Sequence, residues 1–223
     1  MREVRPRTHE DSHLRNGRAR ARDCRLSPKR TSEPSSGGLR RFIDDNPANA
    51  GSVVNGAVVF SLQNFAEKHR DVKVVCGVGD PRLRERLAAK CIEHRLGFTT
   101  VVCTGTVTSP EVVVSDGCML APGTITTTNI RLGSHVHVNV GCTISHDVEI
   151  GDFANINPGV HVNGWVVIGA RAYIGAGATI INGSPGKPLV IGDDAVVGMG
   201  ACVIRPVASG TTVVGVPARS ISA

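Results

Sequence analysis

Between residues 99 and 223 the chain repeats itself every six residues. Every sixth position from Val114 reads Val114, Leu120, Thr126, Leu132, Val138, Ile144, Ile150, Ile156, Val162, Ile168, Ile174 and Ile180, eleven of the twelve being aliphatic. Four residues after each comes a second row of small or apolar residues, running from Cys118 through Val136, Cys142 and Val160 to Ala178. A period of six with two inward positions fits a short strand followed by a corner, and three such hexapeptide sides close one coil. Stacked coils would lie about 4.8 Å apart, the spacing of paired strands. The residue directly after the aliphatic one is often Gly or Asn (Gly133, Asn139, Gly151, Asn157, Asn163, Gly169, Gly175), which predicts a positive φ at those corners. Gly133, Gly151 and Gly169, spaced by one coil, should stack in a column. The repeat breaks at Asn182–Val190 (NGSPGKPLV) and resumes at Ile191, Val197 and Val203, so this stretch is a candidate lid or interface arm.

The rest of the chain divides in two. Residues 1–41 hold 12 Lys/Arg against 5 Asp/Glu, whereas residues 42–223 hold 13 against 14. The net charge of +6 therefore belongs to the first stretch, whose Arg, Ser, Pro and Gly carry no periodicity and read as a disordered tail or a stretch foreign to the fold. Nucleic-acid binding calls for a basic folded face with stacking aromatics; the globular part is near neutral and only 3% of the chain is aromatic, so no nucleic-acid partner is expected. No apolar run is long enough to span a membrane. Seven scattered cysteines without a CxxC pair, and no apolar leader, fit reduced thiols in a cytoplasmic protein. Residues 42–98 carry apolar runs at Val53–Phe60 and Val72–Val78. A helical stretch from Pro81 to Arg95 follows, with Leu83, Leu87, Ile92 and Leu96 lying roughly on one face. This zone reads as a small α/β unit.

The aliphatic hexapeptide repeat resembles the left-handed parallel β-helix of hexapeptide acyltransferases; the handedness comes from the resemblance, because parallel crossovers are normally right-handed. Phe42–Pro47 (FIDDNP), Gly77–Arg84 (GVGDPRLR), Ser145–Asp152 (SHDVEIGD), Ile156–Gly164 (INPGVHVNG) and Val213–Arg219 (VVGVPAR) more narrowly resemble the NeuD/PglD-type sugar acetyltransferases. The resemblance covers about residues 42–223. It implies a mainly β fold: a left-handed β-helix over 99–223, preceded by a Rossmann-like acceptor-binding unit over 42–98 that is truncated. The family's opening strand and glycine-rich loop would fall where the Arg-rich segment stands. It also implies a homotrimer that moves an acetyl group from acetyl-CoA to a sugar or nucleotide-sugar, with active sites between neighbouring β-helices and no metal. Surface glycan or glycoprotein sugar synthesis is the implied pathway.

Acetyl transfer from a thioester requires a base, donors for the oxyanion and a cleft for the coenzyme. His146 lies two residues after the inward Ile144, so its side chain should point away from the prism. The resemblance makes His146 the general base and Asp147 the group that raises its basicity. Gly164, three hexapeptides on, should lie one coil away in the same column with its N–H near the base. By resemblance Gly164, Asn155, Ala176 and Met199 contact acetyl-CoA, Asn155 standing where the family often has His. Asp44, Asp45 and Gly79 would meet the acceptor, Gly79 by letting it approach the backbone at a strand-to-helix turn. Cys118 and Cys142 fall in the inward row, which disfavours a cysteine nucleophile and favours direct transfer. Two alternatives are weighed. An inactive or damaged relative would lack the acceptor-binding loop. A γ-carbonic-anhydrase-like metalloenzyme would use interfacial histidines, but the H-x4-H spacing of that family is absent and His135 and His137 should decorate an outer wall. Whether nitrogen or oxygen is acetylated is open, because a histidine base serves both.

Overall fold

The structure, a computed structural model, describes residues 41–44, 46–69 and 71–221. The reading of the Arg-rich segment and the candidate Asp45 lie outside these residues.

The repeat folds into a left-handed parallel β-helix with three faces. The first face stacks seven parallel strands from Val101–Val102 through His137–Val138 and Asn155–Ile156 to Thr212–Val214, closed by the antiparallel Arg219–Ser220. The second runs from Val107–Thr108 through Thr143–Ile144 to Cys202–Val203, and the third from Val113–Val114 through Glu149–Ile150 to Leu189–Ile191. Partners along each face are three hexapeptides apart, as in Thr143 with His161, until residues 182–188 lengthen one coil and Tyr173 pairs with Val196.

The inward rows behave as the period demands. Leu120, Leu132, Val138, Ile144, Ile156, Ile174 and Ile180 are all within 1% of full burial, as are Cys118, Val136, Cys142, Val160 and Ala178 from the second row. Each buried aliphatic side chain contributes roughly 1.5–3 kcal/mol before chain entropy is subtracted. The few aromatics stand outside this prism. Phe60 and Phe65 pack edge to face in the α/β unit, and Phe98 and Phe153 sandwich His135 where that unit meets the β-helix.

The corners differ from the expectation in an instructive way. Positive φ falls three residues after the inward aliphatic, at Asn129, His135, Gly141, Asp147, Phe153, Gly159, Trp165, Arg171 and Gly177, and not directly after it. The Gly and Asn residues directly after it serve coil stacking instead. A Cβ on Gly151 would lie 2.6 Å from the Ala170 nitrogen, and one on Gly175 2.6 Å from that of Met199. Gly133, Gly151 and Gly169 do form a column, each lying against the next. Asn139, Asn157 and Asn163 donate side-chain hydrogen bonds to the carbonyls of Ile156, Ile174 and Ile180 in the following coil.

Before the β-helix, β1 (Phe42–Asp44) pairs parallel with β3 (Ala57–Ser61), which forms a hairpin with β2 (Val53–Val54) across Asn55-Gly56. Helix α1 (Leu62–Lys68) is capped by Ser61, and α2 (Pro81–Glu93) by Asp80, whose carboxylate accepts from the Leu83 N–H at 2.6 Å. A parallel bridge joins Val74 to Phe98. The buried face of α2 is Pro81, Arg84, Ala88 and Cys91, whereas Leu83 and Ile92 are exposed. Leu96, just past the helix, is buried, and Cys91 joins it in an apolar cluster with Leu62, Phe65 and Ala66; the face turns away from Leu83 and Ile92 because Arg84 on α2 covers a polar corner of the β-helix at His135 and Phe153. For the same reason His135 and His137 do not decorate an outer wall but are buried, each 6% exposed.

Candidate active site

The second corner, between the second and third faces, brings His146 and Gly164 together. The expected column holds: Trp165 donates its N–H to the His146 carbonyl and Asp147 to that of Thr128, so each coil lies directly on the last. Asp147 takes a left-handed backbone conformation (φ 57°), which turns its carboxylate back towards its neighbour. His146 Nδ1 lies 2.8 Å from Asp147 Oδ2. The other carboxylate oxygen accepts from the Asn129 amide at 3.2 Å. Facing a carboxylate acceptor, a neutral imidazole carries its proton on Nδ1, which leaves the Nε2 lone pair free. Gly164 lies under that nitrogen: a Cβ there would be 2.7 Å from Nε2 and 2.5 Å from Cε1. Its φ is not in the left-handed region, so the residue is glycine because the ring occupies the space of a side chain.

Trp165 stands edge-on to the imidazole with ring centroids 6.2 Å apart. Residues Asn182–Pro185 of the excursion wall the same open groove, which Ser145, Asn163 and Gly164 also line. The His146 side chain is 52% exposed, so the imidazole faces this groove and not the core. Trp165 and Asn129 escaped the sequence reading, yet a signal was there: Asn129, Asp147 and Trp165 follow one another at intervals of one coil, and the structure gives all three a φ near 57°.

The other candidates fall elsewhere. Ala176 and Met199 stack on the first corner, where Gly200 donates to the Ala176 carbonyl; Met199 is 81% exposed. Asn155 begins a strand of the first face and is 2% exposed, with Arg84 donating to its Oδ1 at 3.4 Å. Its side chain therefore belongs to the junction with α2. Asp44 accepts from the Asn46 N–H and the Asn49 amide, both at 2.8 Å, and the first of these bonds holds its carboxyl below the usual range. Gly79 has open space where a Cβ would stand and no left-handed φ, so neither packing nor backbone requires a glycine there. Burial raises the Cys142 thiol and pushes that of Cys118 up to about 11, away from nucleophilic use.

His161 shares a 2.8 Å hydrogen bond with Thr143 on the second face, and His135 is enclosed by two phenyl rings. Among the described residues no group of three His, Cys, Asp or Glu is placed to hold a metal. No helix among them is long and apolar enough to cross a membrane.

Residues 147–182 match the family model described as bacterial transferase hexapeptide (six repeats). Comparison with the curated proteins gave no match. Among solved structures the chain is similar to WeeI from Acinetobacter baumannii AYE, at 38% identity over 81% of this chain and 85% of that one, with a TM-score of 0.76. It is also similar to PerB from Caulobacter crescentus in complex with CoA and GDP-perosamine (27% identity, 77% and 82% covered, TM-score 0.71). A third is the acetyltransferase domain of PglB from Neisseria gonorrhoeae FA1090 (25% identity, 81% and 85% covered, TM-score 0.71). An open groove on a hexapeptide β-helix, with a carboxylate-held histidine over a glycine, and a relative this similar along most of both chains lead to one assignment: the chain belongs to the NeuD/PglD-type sugar acetyltransferases, a family of hexapeptide-repeat acyltransferases.

Proposed function

We propose that the protein transfers the acetyl group of acetyl-CoA directly to the amine of a nucleotide-linked sugar, with His146 as general base. The observation that carries this reading is the Asp147–His146–Gly164 constellation, in which one imidazole nitrogen is tied at 2.8 Å and the other is left free over a glycine. Nε2 takes a proton from the acceptor amine as its nitrogen attacks the thioester carbonyl. The Gly164 N–H is the donor offered to the oxyanion. Collapse breaks the C–S bond, and the imidazolium returns its proton to the departing CoA thiolate. Such a base is worth about 10²–10⁴-fold and one oxyanion donor about 10²–10³-fold. A hydroxyl acceptor would use the same steps; the amine is favoured by the similarity to PerB, whose structure holds CoA and GDP-perosamine.

The acceptor is placed at the Gly77–Asp80 turn. Gly79 is open towards solvent without any internal reason to be glycine, which fits a backbone that a ligand approaches. Acetyl-CoA is placed along the β-helix corners marked by Gly164 and by Ala176 and Met199. Those two corners, and the α2 junction on the third, lie on different sides of one prism, so a homotrimer is the assembly that would complete the site.

The test is acetyl-CoA consumption with GDP-perosamine, UDP-4-amino sugars and sialic acids. Turnover that His146→Ala reduces at least about 10²-fold while the protein stays folded is the expected result. No turnover by the parent protein would instead favour an inactive relative.

A further inference from the structure

Arg84 is fully buried, and among the described residues no carboxylate bonds it. The geometry points to Arg84 as a positioning residue for acetyl transfer, one that fixes the acceptor turn Gly77–Asp80 in register with the β-helix; this rests on the reading that the turn binds the acceptor.

The guanidinium is spread over two units of the protein. Its Nε donates to the His135 carbonyl at 3.0 Å, and its Nη2 to the carbonyls of Phe153 and Ala154 at 2.6 and 3.1 Å. These three acceptors belong to two successive coils at the third corner. Its Nη1 donates to the Val78 carbonyl at 2.5 Å on the side of the turn and also to Asn155 Oδ1 at 3.4 Å on the β-helix. Val78 stands between Gly77 and Gly79, whose added Cβ atoms would meet nothing within 4 Å. A turn flanked by two open glycines has little packing of its own to hold it. One planar group with five donors in a fixed fork supplies the missing constraint, because it can satisfy carbonyls on both sides at once. Nη1 also approaches His137 Nδ1 at 3.3 Å, so that nitrogen accepts. Burial lowers Arg84 to about 10, which leaves it charged at neutral pH.

Arg84 also sits on α2, whose first turn is set by the Asp80 cap. The turn is thus bounded by a capped helix start on one side and tied at its centre to the coil that carries Phe153. Arg82 and Glu85 extend the same contact on the surface, pairing with Asp194 and Arg171 at 3.0 and 3.3 Å. Each of those pairs has one exposed and one half-buried member and is worth little. Arg84 is the buried one.

The test compares Arg84→Lys, Arg84→Met and Gly79→Leu with the parent, using whichever of GDP-perosamine and the UDP-4-amino sugars the parent acetylates best. KM is measured for acceptor and acetyl-CoA separately, with thermal melting alongside. The expected result is a rise in acceptor KM of at least about tenfold in Arg84→Met, partly rescued in Arg84→Lys, while the KM for acetyl-CoA stays within about twofold. One charge on a flexible stem can replace some of these bonds and not the fork. Gly79→Leu should raise acceptor KM without lowering the melting temperature. If Gly79→Leu raises acceptor KM and Arg84→Met does not, or if both KM values move together with the melting temperature, Arg84 is merely structural and the proposal falls. If Gly79→Leu leaves acceptor KM unchanged, or the parent acetylates none of these sugars, the acceptor reading itself fails.

Discussion

Gly164→Ala separates a glycine kept for a neighbouring ring from one kept for its backbone. The added methyl would lie 2.5 Å from His146 Cε1 and 2.7 Å from Nε2. Ordinary carbon contacts are about 3.5–4.0 Å, so the ring must retreat by about 1 Å. It has somewhere to go, since its side chain is 52% exposed. The cost to folding is then small: at most one solvent-exposed hydrogen bond to Asp147, about 0.5–1.5 kcal/mol, or a few degrees in melting temperature for a chain of this size. The cost to catalysis is large. A displacement of about 1 Å removes the base from the acceptor proton, and such misplacement costs about 10²-fold, roughly 2.7 kcal/mol in the barrier. Gly210→Ala is the opposite case. Gly210 has φ 67° and nothing within 4 Å of an added Cβ, so alanine there strains the backbone by about 1–2 kcal/mol and leaves kcat unchanged. The assay is steady-state acetylation with thermal melting on both variants. Gly164→Ala with kcat within about threefold of the parent would refute the placement of His146 over Gly164 as the reacting geometry.

Asp147→Asn should lower kcat by an order of magnitude or more with little change in melting temperature, because an amide can offer its N–H to Nδ1 and draw the proton to Nε2, the wrong tautomer; kcat and KM measured together check this. Stability should fall between about pH 6.5 and pH 4. Burial, then Arg84, lowers His137 to about 4 in the folded chain. The unfolded chain keeps the ordinary value near 6.5 and so binds more protons in that window, which makes stability rise with pH across it. The His137 contribution, at most about 3 kcal/mol, is complete above pH 6.5 and lost as pH drops towards 4. His135, lowered mainly by burial, acts in the same sense. Urea midpoints at pH 7 and pH 4.5 measure the slope, and His137→Gln should flatten it; an unchanged slope would show that His137 is not the group responsible.

The core of the β-helix was legible because a threefold coil repeats one environment many times, so a period of six names the buried residues without further knowledge. The corners were legible only in part. Glycine suggests positive φ, but Gly133, Gly151 and Gly169 answer to the coil stacked above them, a neighbour at least three hexapeptides away in sequence. His146 and Asp147 are adjacent in sequence, and their pairing could be anticipated; Asn129 and Trp165 required the column to be read as well as the motif. The α2 face was misjudged because apolar periodicity assumes an apolar partner. Here Cys91 does find apolar neighbours, but at Arg84 the helix covers backbone carbonyls, and the residue that suits them is arginine. Asn155 shows the same limit: its position in the repeat says that it points outward, while what lies outside it is α2 and Arg84.

Outward residues of a prism are divided among three corners that cannot meet within one chain. His146 and Gly164 occupy the second corner, Ala176 and Met199 the first, and the Gly77–Asp80 turn, the proposed acceptor site, is tied through Arg84 to the third. A direct transfer needs base, thioester and acceptor within contact of one another, so the reading given above requires that one copy's base serve an acceptor held by its neighbour. Mixing two impaired proteins tests this, assayed with acceptor well below the KM of Gly79→Leu. His146→Ala keeps a working acceptor turn and Gly79→Leu keeps a working base. In a randomly mixed equal population of cyclic assemblies, each site draws its base and its turn from different copies, and both are intact in about one site in four. Co-refolded protein should therefore regain about a quarter of the parent activity. If base and turn instead come from the same copy, every mixed site stays defective, and activity no higher than that of the separate variants would show that a single chain holds the whole site.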